Sequence, residues 1–202
     1  GIETGDLGVA DLQSDDLIIT EIMSNPQQVS DSNGEWFEIL VSDSLVGTLQ
    51  LNGLVFSNIS SSATQTEVLN SNLLVSGGDR LVFARDVNSA TNGGFIGDAT
   101  FSFSINNTGE VLGLWQEESM SNLIHSVDID SKGTVSAGVS LALDEQVVWC
   151  DSVEIYGDGD KGTPGATNDS CEEYNGDCGD SIDNDGDGVL DCDDSDCGDV
   201  AA

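Results

Sequence analysis

Near its C-terminus the chain reads DNDGDGVLDCDD, from Asp183 to Asp194. Counted from Asp183 as position 1, Asp185 falls at 3, Asp187 at 5, Gly188 at 6, Val189 at 7, Asp191 at 9 and Asp194 at 12. That is the ligand rhythm of a calcium-binding loop. Calcium takes about six to eight hard oxygens at about 2.3–2.6 Å, and alternating Asp residues let a tight loop point carboxylates inward. Gly188 permits the sharp turn, and Val189 offers its backbone carbonyl. Five carboxylates drawn together without a cation would repel one another and raise their pKa values. Binding and ordering are therefore expected to be coupled, with Ca2+ as the cofactor.

A complete helix–loop–helix EF-hand is not expected, because only SDCGDVAA follows Asp194. Asp191, Asp193, Ser195 and Asp196 could begin a second, sharing site, and Asp177 and Asp180 could cap the first. Other candidate chemistry is sparse. His125 is the one histidine and lies within an apolar strand pattern, with no nucleophile motif beside it. Glu21, Glu35 and Glu38 could suggest a paired-carboxylate hydrolase. In a strand, Glu35 and Glu38 point to opposite faces, and Glu21 falls in register with Leu17, Ile19 and Met23, as a structural carboxylate would. Asp158 and Asp160 could touch calcium or could form a polar turn. Trp36, Trp115 and Trp149 could stack on sugars, but packing is the commoner role of a strand tryptophan. No enzyme is expected.

The elements that must position these residues read as all-β. Strand patterns occur at LIITEIM, EWFEILVS, LQLNGLVFS (interrupted by Gly53), DRLVFAR, EVLGLW, NLIHSVDID and EQVVWC. Turn clusters separate them every ~8–15 residues, and no convincing amphipathic helix is visible; the spacing predicts an antiparallel sandwich or barrel. Residues 1–16 read as a flexible polar arm, 17–171 as the β-body and 172–202 as an acidic tail. From Asp169 to Asp199 there are thirteen Asp or Glu, and no basic residue follows Lys161. Such a segment is either disordered or organised by cations and disulfides.

Bulk charge narrows the partners. Thirty-eight acidic residues face four basic ones (Arg80, Arg85, Lys132 and Lys161), for a formal net charge of −34. Nucleic acid and anionic membranes are repelled; divalent cations and cationic surfaces are favoured. No apolar run approaches the roughly 20 residues that cross a bilayer, so no membrane insertion is expected. The first residues are polar and acidic rather than signal-like, and Gly1 is not an initiator Met, so a processed or trimmed N-terminus is expected.

The opening IITEIMSNP followed by GEWFEI, and the closing Trp149-Cys150 with GTPGATNDSC (residues 162–171), resemble the lamin tail domain as found in bacterial extracellular proteins. The resemblance spans roughly Leu17 to Cys171 and implies an immunoglobulin-like β-sandwich. It also implies an accessory module without chemistry of its own, carried by a larger secreted or surface protein. Nuclear lamin members bind chromatin, a role that the net charge opposes. The stretch CGDSIDNDGDGVLDCDDSDC is similar to acidic repeats of myxobacterial secreted proteins and, through them, to thrombospondin type 3 calcium repeats.

All five cysteines (Cys150, Cys171, Cys178, Cys192 and Cys197) lie in the last part of the chain. Their clustering in an acidic, loop-rich segment predicts disulfides and an oxidising compartment; a zinc site is the rival reading, with no histidine nearby to support it. Cys150 ends a strand and Cys171 ends the closing loop, so a Cys150–Cys171 bridge is expected, worth roughly 3 kcal/mol in the chain-entropy model. Cys178 then pairs with Cys192 or Cys197 across the Asp loop, and one thiol is left over. The expected function is a non-catalytic, extracellular calcium-binding module that engages a protein or polysaccharide surface. The alternative is a carbohydrate-binding or adhesive module using exposed aromatics.

Overall fold

The computed structural model describes residues 7–171. The Asp loop (Asp183, Asp185, Asp187, Val189, Asp191 and Asp194) and Cys178, Cys192 and Cys197 lie outside the described residues.

The fold is an all-β sandwich. In chain order its strands are β1 (Leu7–Gly8), β2 (Leu17–Met23), β3 (Trp36–Val41), β4 (Leu49–Gln50), β5 (Val55–Ser60), β6 (Thr64–Val68), β7 (Leu74–Val75) and β8 (Arg80–Ala84). They continue as β9 (Ala99–Thr100), β10 (Glu110–Trp115), β11 (Leu123–Asp128), β12 (Leu141–Leu143), β13 (Trp149–Asp151), β14 (Ile155–Tyr156) and β15 (Asp160–Lys161). A six-stranded sheet in the order β13-β12-β2-β3-β8-β9 faces a four-stranded sheet in the order β11-β10-β5-β6. A small β1-β4-β7 sheet and the β14-β15 hairpin flank them. A short α-helix, α1 (Asp31–Gly34), lies in the turn-rich loop before β3. Among the described residues no helix is long and apolar enough to cross a membrane.

The two sheets meet because each strand sends alternate side chains inward. Phe37, Ile39 and Val41 of β3 and Leu81 and Phe83 of β8 join Phe56 of β5, Leu112 and Leu114 of β10, and Ile124 and Val127 of β11 in one core. Ring centroids of Phe37 and Phe56 lie 5.4 Å apart, and those of Phe56 and Phe83 lie 4.8 Å apart, stapling sheet to sheet. The outer face of the six-stranded sheet carries a second apolar cluster: Met23, Trp36, Val82, Ala84 and Phe95, closed by Tyr156.

Two expectations are corrected. The face assignment of β2 changes at Thr20, where the register with β3 slips so that Ile19 pairs Ile39 but Glu21 pairs Glu38. One extra residue flips every later side chain. Leu17, Ile19 and Ile22 therefore face the main core, while Glu21 and Met23 face outward with Trp36 and Glu38. The expected arm at residues 1–16 is also docked from Leu7 onward. Leu7 and Gly8 pair in parallel with Leu49 and Gln50, and Val9 and Leu12 are buried in the main core. The apolar spacing Leu7, Val9, Leu12 outweighs the acids around it.

Candidate functional site

The described residues with the densest polar chemistry lie on the outer face of the six-stranded sheet, where the opening strands β2 and β3 meet the closing segment, residues 162–171. Glu21, 0% exposed, accepts hydrogen bonds at Oε1 from Ser140 Oγ (2.5 Å), Ser152 Oγ (3.2 Å) and the Thr163 amide (2.9 Å), and shares Oε2 with Thr163 Oγ1 (3.0 Å). Its cross-strand neighbour Glu38, also 0% exposed, accepts from Thr20 Oγ1 (2.7 Å), Arg80 Nη1 (2.6 Å) and the Gly165 amide (2.9 Å). Each carboxylate thus takes one backbone amide from the closing turn. That turn runs Thr163-Pro164-Gly165-Ala166, with the Ala166 amide donating to the Thr163 carbonyl at 2.9 Å and Gly165 at φ 83. A left-handed Gly third is what a type II turn requires, and Pro second suits it. Gly162 leaves no room for a side chain, since a Cβ there would lie 3.0 Å from Glu21 Oε1 and 3.1 Å from the Trp36 ring.

The hydrogen-bond pattern around Glu21 favours its protonated form. Asn168 spends both amide hydrogens on the Thr20 and Leu143 carbonyls, at 2.7 and 2.9 Å. Its Oδ1 lies 3.2 Å from Thr163 Oγ1, which also lies 3.0 Å from Glu21 Oε2. The threonine has one hydroxyl hydrogen. If Glu21 is ionised, that hydrogen serves Glu21 or Asn168 but not both. If Glu21 is protonated, Oε2–H donates to Thr163 Oγ1 and Thr163 donates onward to Asn168, so every atom in this chain has a partner. Burial, opposed by the bonds from Ser140 and Thr163 and reinforced by the nearby Glu38 charge, pushes the Glu21 pKa up to about 7.

Glu38 and Glu35 are likewise raised by burial, against their hydrogen bonds and their arginines. Glu35 follows α1 and points elsewhere: Ser104 Oγ (2.7 Å), the Ile105 amide (3.1 Å) and Arg85 Nη1 (2.9 Å) all donate to it. The three glutamates are therefore fully engaged in holding segments distant in sequence. Glu35 and Glu38 do not share a cleft.

The other candidates have comparable structural partners. His125 Nδ1 accepts the Ile19 amide at 3.2 Å, so the ring hydrogen of the neutral form sits on Nε2, 4.0 Å from Asp15 at the surface. Burial holds its pKa below the usual histidine value. Asp160 is buried, and its carboxylate accepts the Gln27 and Gln28 amides, whereas Asp158 is exposed. Trp36 is 0% exposed and donates to Tyr156 Oη at 3.1 Å. Trp115 is half-buried and donates to Ser57 Oγ at 2.7 Å, and half-buried Trp149 packs on the main core.

The expected Cys150–Cys171 bridge is present, with Cα atoms 5.6 Å apart. Asp144 supports it: Oδ2 accepts the Cys171 amide at 3.2 Å, while Oδ1 accepts the Gln146 and Val148 amides of the β12–β13 turn. Sequence reading missed Arg80, Arg85, Thr163 and Asn168. The available signal was the match of Glu35 and Glu38, bracketing Trp36-Phe37, to Arg80 and Arg85, bracketing the neighbouring apolar strand. Among the described residues no group of three or more His, Cys, Asp or Glu is arranged to hold a metal ion. No protein-family model matches this sequence, and no curated protein matches it.

Proposed function

We propose that this chain is a non-catalytic, calcium-binding accessory or interaction module of a secreted or cell-surface protein. Its body would be a rigid platform of the lamin-tail type, and its acidic C-terminal stretch a cation-ordered connector. The observation that carries this reading is the anchoring of residues 162–171, the segment that leads toward the Asp loop. Two buried carboxylates, Asn168 and a disulfide bind it to the sheet. A calcium loop transmits force or orientation only if its base is fixed.

Asp183, Asp185, Asp187, Asp191 and Asp194, with the Val189 carbonyl, would hold the ion; an all-oxygen donor set suits a hard divalent cation. The disulfide supports an oxidising, extracellular setting. The aromatic-platform alternative needs an exposed ring, and Trp36, Trp115 and Trp149 are each buried or half-buried.

Limited proteolysis tests the calcium reading. Millimolar calcium is expected to protect the C-terminal stretch, a chelator to remove that protection, and the double substitution Asp185→Ala with Asp187→Ala to abolish it while the β-body stays folded. Cleavage at the same rate with calcium, with chelator and in the variant would refute the site.

A further inference from the structure

The closing segment covers only part of the outer face of the six-stranded sheet. Beyond Asn168 the face opens into a groove of about 440 Å³. Ile18 and Leu40, from β2 and β3, and Leu143 and Val147 are among the residues that line it. Ile18, Leu40 and Leu143 are only partly buried, and Val147 is 76% exposed. Val147 also sits at φ 68, a left-handed conformation that a β-branched residue adopts at a cost. An apolar side chain is thus held in solvent, in an unfavourable backbone conformation, at the lip of a groove whose lining mixes aliphatic with polar and charged residues.

Charge selects the occupant. Asp43 and Glu145 line the groove, and its one cation, Arg80, is already paired with Glu38. The whole chain carries −34. An anionic or phosphorylated ligand is therefore disfavoured and a cationic one drawn in. The same sheet face already receives a turn of the chain, two of whose amides end on carboxylates at Glu21 and Glu38. The groove continues that surface.

We propose that this groove docks an extended segment of another protein in which apolar residues are flanked by Lys or Arg. The apolar side chains would seat between Leu40, Leu143 and Val147, and the cations would meet Asp43 and Glu145. This rests on the interaction half of the proposed function and is independent of the calcium loop.

The test uses the intact chain in about 150 mM salt, where exposed long-range charge is largely screened. The probe is a fluorescent Lys-Leu-Lys-Ile-Lys-Leu-Lys peptide with blocked ends, compared with the equally charged peptide carrying Ser in place of Leu and Ile. The apolar peptide is expected to bind about tenfold more tightly, the scale of one seated aliphatic side chain. Val147→Gly, which relaxes the backbone at that position, should remove most of that preference, and Glu145→Lys should weaken binding of the apolar peptide several-fold. Glu118→Lys, an equal charge change in the β10–β11 turn of the opposite sheet, should change it less than about twofold. Equal binding of the two peptides, or equal loss in all three variants, would overturn the groove as the docking site. Failure of the calcium test alone would leave it standing.

Discussion

Replacing Arg80 with Met is expected to destabilise the fold by roughly 3–5 kcal/mol, the usual consequence of stranding one partner of a buried ion pair. Arg80 Nη1 lies 2.6 Å from Glu38 Oε1, with side-chain exposures of 18% and 0%. Without the guanidinium, Glu38 keeps only Thr20 and the Gly165 amide, which do not neutralise its charge. The loss should spread to the closing turn, because Glu38 is what holds Gly165. Two further outcomes distinguish a stranded charge from simple loss of packing. Adding Glu38→Gln to Arg80→Met should recover much of the stability, and lowering the pH should narrow the gap between Arg80→Met and the parent by protonating Glu38. Denaturant unfolding of the four members of this cycle measures the coupling. An Arg80→Met protein as stable as the parent, or a double variant no better than the single, would contradict the account.

The second large effect is a fall in stability as pH rises through neutrality, centred on Glu21. Its folded pKa, about 7, lies above the ordinary value of 4.5, so folding favours the protonated form. The contribution is fully present below about pH 4.5 and is lost progressively as pH rises through about 7. A shift of this size corresponds to about 3 kcal/mol, or very roughly 5–10 °C in melting temperature for a domain of this length. Glu35 and Glu38 are displaced in the same direction and add to the trend. Glu21→Gln supplies permanently what the proton supplies: its carbonyl can accept from Ser140, Ser152 and the Thr163 amide, and its NH2 can donate to Thr163 Oγ1. The melting temperature of the variant should therefore fall clearly less between pH 5 and pH 7.5 than that of the parent, the remaining slope coming from Glu35 and Glu38. The part of the protonated-carboxyl infrared absorption at pH 6 that is lost in Glu21→Gln checks the same claim directly. Parallel pH profiles for parent and variant would mean that Glu21 is ionised throughout.

How far the amino-acid order foretold these features depended on how local each signal was. The strand LIITEIM was legible to both ends, because its apolar run is bounded by polar residues and its length suits a strand. Its outward face was not legible after Thr20. A bulge depends on the partner strand, although two aliphatics three apart, Ile19 and Ile22, already disagree with strict alternation. Strand β6, Thr64–Val68, was missed because TQTEV has no apolar stripe; only pairing with β5 makes it a strand. The Cys150–Cys171 bridge was legible from position alone. The clamp around Glu21 and Glu38 was half legible: a glutamate amid aliphatics announces a satisfied carboxylate, but the donors at Ser140, Thr163 and Gly165 lie more than a hundred residues away and nothing local marks them. Val147 gave no signal, since a left-handed backbone at a valine runs against its own preference.

The same contrast divides function from fold. The Asp loop is a purely local motif, readable without any tertiary contact, whereas the anchored segment that leads toward it emerges only from long-range packing. The central claim is that these aspartates gather around a hard divalent ion, and calorimetric titration of calcium into the intact, metal-stripped chain tests it most directly. Saturable binding is expected, with a midpoint on the order of 0.1–1 mM, as in extracellular calcium modules, and it should disappear in the Asp185→Ala, Asp187→Ala variant. No saturable heat in the parent, or an unchanged isotherm in the variant, would contradict the claim.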